Sequence, residues 1–587
     1  MGVSNSTERD YTHRTARGSL IGIEVVDIHT KQPIYRRFTR IRYAFPPRGD
    51  RRWRKPEPLP PDWIFSNGNN NPRDYSKFGA ICPQTGIDDA VRPEKWAEGE
   101  SNEMDEDCLF LNVWTPPGGE GPRGGWPVQF DVPGSGFQRG SGMQHTFLDP
   151  VDIFRENRAN PRIVVSPNFR CGVLGFLASE ELRIDSEDSK SDPYAASGNY
   201  GLWDIRMAIE WTFNNVFLFG GNPYNICVGG DGRTTAFQLH FDAFHPSGRS
   251  IIRRAFLFSG AVCVQPAVAQ STKPRAQFAE LCDHLNIDND TLPSKYTVRL
   301  LRGVSAEKLM SVVQKMDTTF DPITDGQDGF IPTDFMQSIW SGALGRRLKE
   351  RTIQVLIGDP SGERCVYERL MRKREEGIIQ GFPRIVQNRQ ALITSLSAYY
   401  PETVVNALVA KYSIENKDWS NIHCDIMADV ECHAAVRGFA HGLAKGGMTA
   451  QDVLRYHIAW KCKALDQYID PGTGVCHAMD VPIWWHSGWR AGFSERDKQD
   501  VLNFTEPFAR FLRGDISARS GWGTDVEADV RLLCPDGAVI VGKDPLWKSK
   551  LEVWNVVQNA QRSRHVRGGS AGSTKTLPTM STMYELA

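Results

Sequence analysis

The chain has no CxxC pair among its twelve cysteines, no internal repeat, no excess of either charge, and no apolar run approaching the ~18 residues that cross a bilayer. The first absence argues against a zinc site or a thioredoxin-like motif and leaves most thiols as buried side chains, so neither metal nor cofactor is expected. A formal net charge of −1 gives no field to draw nucleic acid or an anionic membrane. The N-terminal stretch MGVSNSTERDYTHRTARGS also lacks the apolar centre of a secretory signal, which points to a cytoplasmic protein without a membrane span.

What is there is a globular composition: 587 residues, 40% of them hydrophobic, enough for a sizeable core. Only the Gly/Ser/Thr-rich end reads as low complexity, so residues 1–563 are expected as one large domain and 564–587 as a disordered tail. Apolar runs bounded by turn formers predict strands at Trp126 to Val132, Pro161 to Val165, Ile226 to Val228, Ala255 to Phe258 and Ile353 to Ile357. Helical spacing predicts helices over Leu202 to Val216 and Thr234 to Phe244. Strands alternating with helices imply α/β architecture, with a mostly parallel sheet covered on both faces.

The stretch ICVGGDGRT, residues 226–234, then stands on a strand-to-helix turn, the context in which G-x-S-x-G marks a nucleophile. Other motifs give that turn a meaning. FTRIRYAFPP (Phe38 to Pro47), EDCLFLNVWTP (Glu106 to Pro116), PNFRCGVLGFL (Pro167 to Leu177), and GNYGLWDIRMAIEW with FGGNP (Gly198 to Pro223) follow one another in a fixed order. In this the chain resembles the type-B carboxylesterase and cholinesterase family, over almost its whole length. The resemblance implies the α/β-hydrolase fold, a small-molecule substrate or ligand, and a Ser, Glu, His order of catalytic groups. It also implies that Cys82 and Cys108 match a pair joined in secreted members, although a reducing cytosol favours two free thiols here.

Carried onto this sequence, the family's serine falls nine residues past Pro223, on Gly232. Glycine takes positive φ at little cost, so the turn is expected to survive without its attacking group, and Gly232→Ser is expected to restore reactivity toward a fluorophosphonate. Glu363, after Gly358-Asp359-Pro360-Ser361-Gly362, matches the acid position, and His477, in Gly474-Val475-Cys476-His477, matches the histidine. Read without the resemblance, Glu363 is equally a surface charge and His477 a satisfied core histidine. The oxyanion loop reads Pro133-Gly134-Ser135-Gly136-Phe137, leaving backbone donors at Ser135, Gly136 and Arg233. Arg233 either fills the pocket or offers it a cation. Ser135 and Asp231 are the substitute nucleophiles to consider, and Trp484 and Trp485 either line the gorge or belong to the core.

Loss of the serine lowers triad turnover by ~10⁶, whereas a positioned base alone still contributes ~10²- to 10⁴-fold. The reading preferred is an enzyme of small-molecule, specialised metabolism that uses Glu363 and His477 for non-hydrolytic acid/base chemistry such as isomerisation, elimination or cyclisation. An unconventional esterase or lactonase, and a non-catalytic protein binding small molecules or protein partners, are the alternatives.

Overall fold

The computed structural model describes residues 6–67, 71–85, 103–118, 121–134, 136–142, 149–156, 161–316, 318–377, 384–412, 418–468, 472–477, 479–515 and 521–568. Among them a single sheet gathers thirteen strands. Its first limb is β1 (Ser6–Thr15), β2 (Gly18–Asp27), β3 (Pro33–Arg42), the short β4 (Arg73–Asp74) and β5 (Phe110–Thr115). Its centre is β6 (Trp126–Val132), β7 (Ile163–Pro167), β8 (Gly221–Asp231), β9 (Arg254–Phe258), β10 (Gln354–Pro360) and β11 (Val453–Ile458), and its far edge is β12 (Asp529–Leu533) and β13 (Val539–Lys543). The order across the sheet is β1-β2-β3-β5-β7-β6-β8-β9-β10-β11-β12-β13, with β4 beside β2.

From β7 through β12 every pairing is parallel, while the two margins are antiparallel apart from the short parallel contact of β4 with β2. Strands β6 to β10 fall on the apolar runs predicted from sequence, β11 falls on none of them, and alternation along the strands explains why both faces must be covered. Ile226 and Val228 of β8 join one core cluster with Ile205 and Ile209 of α1 (Tyr200–Asn215) and Ala236 and Leu239 of α2 (Gly232–Ala243). Cys227, between them, joins the opposite cluster with Phe256 of β9 and Leu356 of β10. Phe504, Phe508 and Phe511 of a long helix at Glu495–Arg513 cover that side.

The predicted elements are shifted at their ends for physical reasons. β7 begins at Ile163 rather than Pro161, because its parallel pairing with β6 starts at Ile163 opposite Val128 and proline has no N–H to give a ladder. The run from Ile226 to Val228 is the middle of a longer strand, held by β6 on one side and β9 on the other. The last helix, Trp547–Gly568, runs past the boundary expected at residue 564, and the rest of the expected tail lies outside the described residues.

Cys82 and Cys108, expected as free thiols, are joined in a disulfide. Both are fully buried with Cα atoms 5.0 Å apart, inside the span that one bridge covers, so here geometry overrides the inference from compartment. No helix among the described residues is long and apolar enough to cross a membrane.

Candidate active site

A cavity of about 2390 Å³ opens over the C-terminal edge of the central strands, and Gly136, Arg233, Glu363 and His477 all line it. Pockets that bury drug-sized ligands measure roughly 300–1,000 Å³, so the gorge has ample room for an organic ligand. Of the other sequence-derived positions, Gly232 is absent from this lining and Ser135 lies outside the described residues.

At the end of β8 the chain turns directly into α2. Asp231 is the N-cap, its Oδ1 accepting hydrogen bonds from the Thr234 amide at 2.8 Å and the Thr234 hydroxyl at 2.6 Å. This commits its carboxylate to the helix terminus rather than to attack. Positive φ falls on Gly230, at 132°, and not on Gly232, which is an ordinary first helical residue. A Cβ at Gly232 would lie 2.1 Å from the Gly260 carbonyl oxygen and 2.8 Å from that of Phe258. The expectation that a serine placed at 232 would restore the attacking group is corrected accordingly: its side chain would run into the backbone that follows β9.

Arg233 does reach the gorge. Its guanidinium carbon stands 5.1 Å from the Phe137 ring centre, and its Nη1 donates to Glu431 Oε2 at 2.5 Å. A Cβ on Gly136, in the oxyanion loop, would come 3.6 Å from Nη2, so the guanidinium lies across that loop and partly fills the space above it. Tyr400 donates to the other Glu431 oxygen at 2.6 Å. Glu431 is presented by one π-helical turn, Asp429–His433, inserted before a helix at Ala434–Lys445. Such single turns are frequent at functional sites, and nothing in local composition announces them.

Glu363 follows β10 as the N-cap of the helix Arg364–Glu375, yet its side chain makes no capping bond. It is 2% exposed, and its Oε1 has no hydrogen-bond partner. Burial, reinforced by Asp480 and Asp359 nearby, raises its carboxyl well above the usual range. His477 Nδ1 stands 3.7 Å from Glu363 Oε2, in contact but beyond a hydrogen bond, with the ring one-third exposed to the gorge.

Two lining residues were missed by the sequence reading besides Glu431. Ser259, directly after β9, has φ 52°, an uncommon conformation for a serine, and donates from Oγ to Asp480 Oδ2 at 2.9 Å. Tyr367 lies one helical turn beyond Glu363 and also faces the gorge. Trp484 and Trp485 belong to the core instead: both are buried and absent from the lining, and Trp484 stacks on Phe258 at 4.7 Å.

Residues 10–570 match the sequence profile of the carboxylesterase family. The chain is 31% identical over 553 residues to an uncharacterised esterase/lipase of Schizosaccharomyces pombe, covering 92% of this chain and 95% of that protein. It is 32% identical over 538 residues to a carboxylic ester hydrolase of Gibberella moniliformis, covering 90% and 93%. In fold it resembles the crystal structure of Aspergillus niger EstA, with a TM-score of 0.69 at 18% identity over 94% of this chain and 98% of that one.

Proposed function

The chain belongs to the carboxylesterase family, and from that premise we propose that it takes a small organic metabolite into the gorge and moves a proton on it, without an acyl-serine at position 232. One observation carries this reading: Glu363 and His477 remain in contact at 3.7 Å on the wall of a gorge of about 2390 Å³, while the strand-to-helix turn carries glycine. His477 acts as the base, taking a proton from an acidified C–H or O–H of the ligand. Glu363, sealed from water beside it with a raised carboxyl, ionises more readily once the imidazolium forms next to it. Arg233, anchored by Glu431, faces the oxygen on which negative charge then gathers. Isomerisation, elimination and ring closure all fit this division of labour, and none requires a cofactor.

The test uses 5-nitrobenzisoxazole, an apolar probe whose ring C–H is lost to a base as its N–O bond breaks to give a nitrile phenoxide. Wild-type protein should open it faster than free imidazole does, and His477→Ala should lower that rate by about 10²- to 10⁴-fold. A wild-type rate no better than imidazole overturns the proposal.

A second reading rests on Ser259, whose strained backbone and place on the gorge wall suit an unconventional ester hydrolase. It predicts hydrolysis of p-nitrophenyl butyrate and fluorophosphonate labelling that Ser259→Ala abolishes. Labelling that survives this substitution sinks it.

A further inference from the structure

Two cysteines bracket the proton-transfer pair. Cys365 lies two residues after Glu363, and Cys476 immediately precedes His477. The loops that carry them are tied together, since the Gly362 amide donates to the Val475 carbonyl at 2.7 Å. Cys365 Sγ sits 2.8 Å from the Gly362 carbonyl oxygen, and a Cβ on Gly474 would stand 3.8 Å from the same sulfur. The Cys476 thiol and the Gly474 amide lie close enough to Cys365 to favour its ionised form. Cys365 is also the second residue of its helix, where the helix dipole favours negative charge.

We propose that Cys365 and Cys476 form a reactive dithiol, which low-molecular-weight disulfides such as oxidised glutathione convert to a bridge between the loops carrying Glu363 and His477. The Cys365 thiolate attacks one sulfur of the glutathione disulfide, whose S–S bond breaks, and one glutathione thiolate leaves and takes a proton from solvent. The Cys476 thiol then gives up its proton and attacks the Cys365 sulfur, expelling the second glutathione. Two protein thiols are oxidised and one glutathione disulfide is reduced to two thiols, so the electrons balance without a metal.

The environment assigns the two roles. The neighbouring Cys476 thiol and Gly474 amide hold the Cys365 thiol below its ordinary value, whereas the proximity of Cys365 and burial push Cys476 well up. Among the described free cysteines only Cys365 and Cys534 are partly exposed, and burial pushes Cys534 up. Cys534 is therefore a control of comparable exposure.

The experiment treats the native full-length protein with oxidised glutathione and maps thiols by mass spectrometry, a readout independent of any activity. Expected are a Cys365–Cys476 linkage with loss of two hydrogens, and alkylation of Cys365 by iodoacetamide at pH 7 at least about tenfold faster than that of Cys534. Cys476→Ser should halt the reaction at a glutathione adduct on Cys365, while Cys365→Ser should leave Cys476 unmodified. Dithiothreitol should reverse the bridge. Adducts confined to Cys534, or equal alkylation rates at the two partly exposed thiols in wild-type protein, overturn the proposal.

Discussion

Two strand-to-helix turns lie at the same edge of the sheet and use an acidic N-cap residue in opposite ways. After β8, Asp231 accepts two hydrogen bonds from Thr234 and closes its helix. After β10, Glu363 occupies the same kind of position but caps nothing, keeps an unbonded oxygen and is raised by burial. The first carboxylate lowers the free energy of the fold. The second raises it, a cost that fits the proton-transfer role proposed for it. The turn that carries glycine at 232 thus follows ordinary helix-terminus chemistry, while the turn after β10 keeps an unsatisfied buried carboxyl.

The contrast breaks most sharply at Gly232. Gly232→Ser should cost about 3 kcal/mol or more, read as a fall in denaturation midpoint, because a Cβ meets backbone carbonyls rather than a movable side chain. A folded, fluorophosphonate-reactive variant would show that the turn can still revert. Asp231→Ala should cost roughly 1–2 kcal/mol through the lost cap. Glu363→Gln should go the other way, gaining about 1 kcal/mol near neutral pH while slowing the benzisoxazole reaction. The sign follows from linkage: the folded state holds the Glu363 proton more tightly than the unfolded chain, so stability declines as pH rises from the ordinary glutamate value toward the raised one. Chemical denaturation across pH 4 to 8 should show that decline in wild type and a flatter profile in Glu363→Gln. The smallest effect belongs to Arg233→Met, under about 1 kcal/mol in stability because its ion pair with Glu431 is partly solvated. Its mark should appear as slower release of phenoxide from the probe.

Much of this was written in the sequence, at positions where a physical constraint repeats along the chain. The central strands carry continuous apolar runs because both faces are buried, and Trp126–Val132 is found over the residues expected. The β8–α2 junction was legible from glycines and spacing, and Glu363 and His477 from their motifs. Less visible were features made by distant partners. The conformation of Gly232 depends on the backbone of Gly260, and the disulfide on two residues brought within 5.0 Å by the fold. Glu431 was missed because a π turn has no residue signature, and Trp484 was ambiguous because an aromatic pair reads the same in a core and on a wall.

That π turn ties three distant regions together. Asp429 bonds Lys550 of the last helix at 2.7 Å, Glu431 holds Arg233 at 2.5 Å, and His433 donates to the buried Asp359 at 2.6 Å. Removing one residue from Asp429–His433 would rotate all three side chains at once. Evolution can therefore exchange residues in this segment but not shorten it by one, and any change in the gorge's charge at Glu431 inherits an epistatic debt to the C-terminal helix and to the buried aspartate of β10.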